Sequence, residues 1–128
     1  NNRDVNRYKW NIQNIFNKLK NKKSKQSNFY QNITNLLNIR RKQKAFHPNA
    51  ARYNLNFGSK IFAFKRVSLD KKQSIICITN LSSKIQNITL NKTYLRWKNL
   101  IKLQSKLNKQ LELGPFETIW LSNKRITN

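Results

Sequence analysis

The first clear pattern along the chain is Ile12, Ile15, Phe16 and Leu19, the i, i+3, i+4, i+7 spacing that puts apolar side chains on one face of an amphipathic helix. This predicts a short helix ending near Lys20. The polar stretch Asn21 to Gln26 reads as a loop, after which Ser27 is placed to cap a second helix. Phe29, Ile33, Leu36 and Leu37 form its apolar face, extended by the stem of Arg40. Pro48 disfavours helical geometry at His47, so this helix ends before it.

From Ala51 the period drops from 3.6 to 2. Tyr53, Leu55 and Phe57 alternate with Arg52, Asn54 and Asn56, Gly58-Ser59 forms a turn, and Ile61 to Val67 returns as a second strand. A turn at Leu69 to Lys72 leads into Ser74 to Thr79, so continuously apolar that both its faces are expected to be covered, as in a central strand. Lys84 to Leu90 supplies another strand. Tyr94 to Ile101 fits either a strand or a packed loop. Gln110 to Leu113, the Gly114-Pro115 turn and Phe116 to Leu121 read as a closing hairpin. The pattern predicts two helices (residues 1–48) followed by an all-β antiparallel sandwich (residues 49–128). Two helices are too few for a domain, so they are expected to pack on the sandwich or on something outside this chain.

Length agrees with a single core: 128 residues bury roughly 68–70% of their unfolded surface. Charge changes the picture more, with 27 Lys and Arg against four Asp and Glu and a net charge of +23. Such a balance suggests a polyanionic partner, and a small basic nucleic-acid-binding protein is one reading. The cations nevertheless run through the whole chain, with runs only at Lys20 to Lys25 and Arg40 to Lys44. The 21 Asn residues, with Lys and Ile, are what an AT-rich genome writes at freely drifting surface positions, and this reading is preferred. It also accounts for the glycosylation-like triplets at Asn32, Asn80, Asn87 and Asn91. No apolar run is long enough for a membrane span.

Candidate chemistry is sparse. Cys77, the one cysteine, lies in Ile75-Ile76-Cys77-Ile78 and reads as a buried hydrophobe in a reducing, cytoplasmic setting. His47 precedes a proline and reads as a turn residue bonded to backbone. Glu112 and Glu117 flank a turn and are expected near each other, but a solvated hairpin tip has little to raise a carboxyl pKa. Trp97 and Trp120 would serve a free-standing carbohydrate-binding module only if exposed and coplanar, and Trp120 reads as core. Trp10 is expected to cover the first helix. No phosphate loop, zinc spacing or nucleophile elbow occurs, and no cofactor or metal is expected. The absence of Met suggests a piece of something longer.

Four blocks carry a family resemblance: Asn2-Arg3-Asp4-Val5-Asn6-Arg7; Leu36 to Ala50 with its Ala45-Phe46-His47-Pro48-Asn49-Ala50 string; Phe62 to Arg66 with Ile76 to Ser82; and Leu111 to Leu121. In this order they resemble the end of the catalytic barrel and the β-sandwich of sucrose phosphorylase and its relatives in glycoside hydrolase family 13, the α-amylase family. The resemblance implies the last helices of a (β/α)8 barrel followed by the antiparallel domain that closes such enzymes. Those enzymes transfer a glucosyl unit between a sugar or glycerate-type acceptor and phosphate with retention, using two carboxylates about 5 to 5.5 Å apart. The resemblance places the catalytic carboxylates earlier on the barrel, so this chain alone is expected to be inert, with no catalytic residue of its own. It implies that Arg3 binds phosphate or an anionic acceptor, for which a planar guanidinium fork is suited. Asp4 and Arg7 are expected to support Arg3, and His47 to hold the junction. The implied partners are the rest of the barrel, the sugar substrate and phosphate, with neither nucleic acid nor membrane. Lys44 stands where relatives often carry Pro.

Overall fold

A computed structural model describes residues 9–102 and 107–124. The chain divides into two compact units, one up to Asn38 and one from Ile39 onward.

In the first unit, helix α1 (Ile12–Lys20) begins where the Asn11 side chain accepts the Asn14 N–H at 3.1 Å. Lys18 and Lys20 in its last turn complement the negative end of the helix dipole. The helix and its end at Lys20 are as the periodicity predicts. Helix α2 (Lys25–Arg41) starts earlier than expected. Its cap is Ser24, whose hydroxyl oxygen accepts the Ser27 N–H at 3.0 Å, while Ser27 is buried inside the first turn. Both serines can cap; Ser24 wins because its Oγ lies three residues before a free N–H and its hydroxyl also donates to the Lys18 carbonyl.

Much of the apolar stripe of each helix is exposed, although Ile15 and Leu19 on α1 are half-buried. Ile12 and Phe16 on α1 are 68% and 54% accessible, and Phe29, Ile33 and Leu37 on α2 range from 42% to 69%. Arg40 is exposed as well, and only Leu36 on the expected face is half-buried.

The second unit is antiparallel throughout. Its strands are β1 (Ala51–Leu55), β2 (Ile61–Val67), β3 (Ser74–Asn80), β4 (Gln86–Thr89), β5 (Lys98–Asn99), β6 (Gln110–Leu113) and β7 (Thr118–Ser122). Five form a sheet in the order β1-β2-β3-β7-β5, and β4 pairs with β6 in a second. The β1–β2 hairpin turns at Gly58, whose φ of 111° suits glycine and whose N–H is held by the Asn56 side chain at 2.9 Å. As the apolar run predicts, β3 is central, bonded to β2 and β7. One of its faces, Ile76 and Ile78, joins Ile61, Ala63, Ile119 and Leu121 in a core that also takes Ile88 and Leu113 from the smaller sheet. The other face, Ile75 and Cys77, packs on Ala45, with Phe46, Phe64 and Trp120 around it.

Two expectations change. The last two strands do not form a hairpin: β6 pairs with β4, and β7 pairs with β3 and β5. The Gly114-Pro115 turn instead carries the chain from one sheet to the other, with Phe116 at a left-handed φ of 54° and the Glu117 N–H closing onto the Gly114 carbonyl at 3.1 Å. The physical reason is that β7 is as apolar as β3, and pairing with it buries Ile119 and Leu121 fully. The Tyr94 to Ile101 segment is neither alternative alone, since a 3₁₀ turn over Lys92–Arg96 runs into the two-residue edge strand β5.

Asn80, at the end of β3, holds the two sheets in register. Fully buried, its Nδ2 donates to the carbonyls of Lys84 (2.7 Å), Leu113 (3.2 Å) and Gly114 (2.8 Å), and its Oδ1 accepts from Ser82. Leaving such buried acceptors unpaired costs about 1–3 kcal/mol. Asn80→Ala is therefore expected to lower the unfolding free energy obtained from urea titration by about 1–3 kcal/mol, whereas Asn87→Ala on the exposed face of β4 changes it little.

Candidate functional site

The most elaborate polar construction in the second unit surrounds the turn between α2 and β1. After Gln43 the chain makes a 3₁₀ turn over Lys44–Phe46, which buries Ala45 completely against β3. A segment packed this way must find partners for its backbone. Buried Gln73 supplies one: its Oε1 accepts the Ala45 N–H at 3.0 Å, and its Nε2 donates to Gln43 Oε1 at 2.7 Å. From the other side, Arg66 Nε donates to the Ala45 carbonyl at 3.2 Å, while Nη2 donates to the carbonyls of His47 and Pro48. The His47 side chain accepts the Asn49 N–H at 3.2 Å. His47 is thus the backbone-bonded turn residue that its position before proline predicts.

Beside this turn lies a groove of about 500 Å³. Arg40, Arg41, Lys42 and Lys44 bring positive charge to it, and Phe46 and Leu69 give it apolar walls. Asp70, also on its wall, is spoken for: its carboxylate accepts the Ser68 hydroxyl at 2.6 Å, the Lys72 N–H at 3.1 Å and Lys44 Nζ at 3.1 Å. These contacts, the Ser68 hydroxyl foremost, hold the Asp70 carboxyl far below the usual carboxylate range. The groove can attract anions, but its wall offers no pair of carboxylates and no activated nucleophile.

The remaining candidates are engaged in packing or in structural bonds. Glu117 accepts Lys102 Nζ and the Gly114 N–H at 2.8 Å, which lowers its pKa. Glu112 sits exposed on β6 opposite Asn87. The Glu117 carboxyl is therefore not raised toward acid–base work. Cys77 is buried, and burial pushes its thiol up to about 12. Trp97 and Trp120 are half-buried, packed edge-on to Tyr94 and Phe46 with centroids 5.0 and 4.9 Å apart. Neither indole is fully exposed, as the carbohydrate-binding-module reading requires. Trp10 lines a shallow depression with Ile15 and Leu19 of α1 and is itself exposed. Among the described residues no cluster of metal-ligating side chains occurs, and no helix is long and apolar enough to cross a membrane. Arg3, Asp4 and Arg7, which the family resemblance singles out, lie outside the described residues. The bonding of Gln43, Ser68 and Gln73 went unforeseen, because isolated polar residues beside a turn give no periodic signal.

No family model matches the chain. Its fold, however, is similar to part of that of MutB. A variant of MutB soaked with trehalulose matches with a TM-score of 0.62 and 19% identity over 83% of this chain and 19% of that one. Another MutB variant, in complex with the substrate sucrose, gives 0.61 and 18% with the same coverage. In sequence, the glucosylglycerate phosphorylase of Spirochaeta thermophila is 25% identical over 138 residues, covering 97% of this chain and 24% of the relative. The chain thus spans about a quarter of that enzyme's length. The resemblance to the α-amylase family read from the sequence blocks is borne out, whereas the nucleic-acid-binding reading finds no support in these relatives.

Two outcomes test the geometry. Because the folded-state pKa of Asp70 is depressed, its contribution to stability is present above the ordinary carboxylate value of about 3.9 and is lost as pH falls below it. Urea midpoints measured from pH 7 down to pH 3 are expected to hold until that range and then drop, with a smaller drop for Asp70→Asn. Cys77 is expected to resist iodoacetamide at pH 8 in the folded chain and to react on unfolding, as mass spectrometry would show.

Proposed function

We propose that this chain is the carboxy-terminal portion of a retaining, glucosyl-transferring sugar phosphorylase, similar to sucrose phosphorylase, whose reactive carboxylates lie on the part of the barrel that precedes it. In this reading residues 1–48 finish the (β/α)8 barrel and residues 49–128 are the sandwich that closes it. The observation that carries the reading is the match of nearly the whole chain to one quarter of a glucosylglycerate phosphorylase. The exposed apolar side chains on α1 and α2 support it, since apolar helix faces of this kind are built to be covered.

The chain alone is inert on this view, and the intact enzyme works in the cytoplasm on a sugar and phosphate. Arg3 lines the acceptor site and grips phosphate with its two-pronged guanidinium, steadied by Asp4 and Arg7. The turn at Ala45 to Pro48 then fixes the sandwich to the barrel's last helix, and its role is positional.

The test is made in the full-length parent. Arg3→Ala is expected to raise the KM for phosphate by roughly ten- to a hundred-fold, the loss of one charge-assisted contact, while leaving the glucosyl-donor KM nearly unchanged. Equal losses on both substrates would reject the role of Arg3, and a parent gene encoding no barrel carboxylates would reject the function.

A further inference from the structure

The groove beside the Ala45 turn is lined by two kinds of side chain, and the fold accounts for only one of them. Arg40 and Arg41 stand in the last turn of α2, where the negative end of the helix dipole favours cations. Leu69 has no such reason to be there. It is an apolar side chain in the turn between β2 and β3, a place that polar residues ordinarily fill, yet it is 61% accessible and lines the groove with Phe46 and Pro48.

Both walls are fixed before anything binds. Gln73 holds one of them through Gln43 and the Ala45 N–H, and its own N–H is held by Ser68 Oγ at 2.9 Å. On the other wall the Lys71 N–H closes the turn onto the Ser68 carbonyl at 2.8 Å, and Asp70 bonds both Ser68 and Lys44, which ties the walls together. This use of Asp70 leaves the groove's charge unbalanced. Asp70 is the one carboxylate among the described residues that line it, and Lys44 matches it. Glu117 is bound to Lys102, Glu112 lies on β6 in the smaller sheet, and Asp4 lies outside the described residues. Among the described residues the guanidiniums of Arg40 and Arg41, both exposed, have no hydrogen-bond or ion-pair partner.

A ligand that matches these features has two parts. Two free guanidinium forks suit a phosphate monoester, which carries about −1.5 to −2 charges at pH 7 and offers three acceptor oxygens; a single carboxylate would leave one cation unmatched. The apolar wall suits a flat, weakly hydrated body, and a phenylalanine ring is a surface on which a nucleobase stacks. The volume of about 500 Å³ is that of a small-molecule site. We propose that the groove binds a nucleoside monophosphate, with its phosphate held by Arg40 and Arg41 and its base against Phe46 and Leu69. Because the walls are already held by Gln73 and Asp70, little ordering is lost on binding.

Isothermal titration of the full 128-residue chain with AMP, adenosine and inorganic phosphate tests the proposal, at about 0.15 M salt, where exposed charges more than about 8 Å apart are largely screened. Saturable one-to-one binding of AMP is expected, tighter than that of adenosine or of inorganic phosphate. Arg40→Gln together with Arg41→Gln is expected to weaken AMP by at least about ten-fold, the loss of charge-assisted bonds. Lys22→Gln together with Lys23→Gln removes the same charge from the exposed loop before α2 and is expected to change the affinity less than about two-fold. Leu69→Ser is expected to weaken AMP several-fold and to leave inorganic phosphate unchanged, a split that neither lost charge nor misfolding would produce. All five substituted positions are exposed, so the fold is kept. Equal losses from the arginine and lysine pairs would reduce the binding to the net charge of +23 and overturn the proposal. Inorganic phosphate or adenosine bound as tightly as AMP would also overturn it, as would Leu69→Ser without effect. So would the absence of AMP binding, the result expected if Asp4 itself occupies the groove.

Discussion

The amide of Gln73 is the interaction on which the second unit's organisation depends. Placing Ala45 against the central strand buries backbone groups that an apolar core cannot satisfy, and a buried N–H without an acceptor would cancel much of what the packing gains. One glutamine answers this by accepting from Ala45 and donating to Gln43, while Ser68 Oγ accepts the Gln73 backbone N–H at 2.9 Å. Arg66 completes the arrangement from β2 by donating to the carbonyls of Ala45, His47 and Pro48. The turn is therefore held from both directions, and the path of the chain into β1 follows from it.

With that turn in place, β3 becomes a partition. Its even-numbered isoleucines feed the core shared by the two sheets, and Ile75 and Cys77 feed the cluster beneath the turn. Strict alternation explains the division: one strand covered on both faces serves two cores without any extra residue. The same logic makes Cys77 inert, because a thiol enclosed by Ile75, Ala45 and Trp120 has no water to stabilise its anion.

Much of this was legible in the residues. The 3.6-residue stripe gave α1, the continuous run at Ser74 to Thr79 identified the central strand, and the word-like string around His47 pointed to the α-amylase family. What escaped was decided by competition between near-equals. Ser24 and Ser27 are equally good caps in composition, and only the Lys18 carbonyl distinguishes them. The segments flanking Gly114-Pro115 look like a hairpin, yet β7 buries more by joining β3 than by folding back on β6. The hydrogen-bonding residues Gln43, Gln73 and Asn80 are invisible to periodicity, since their value arises from backbone groups distant in sequence. The anion site inferred from Arg3 came from family likeness alone.

Asn80 carries a last consequence. Its side-chain nitrogen is the atom an oligosaccharide would have to be joined to if the Asn80-Leu81-Ser82 triplet were used as an acceptor for glycan attachment. In the folded chain that nitrogen is enclosed and committed to three carbonyl oxygens, and the Ser82 hydroxyl is turned inward onto Asn80 Oδ1 at 2.7 Å. The triplet is silent once the sheets have closed: the residues that spell the signal are the ones that bolt the strand ends together.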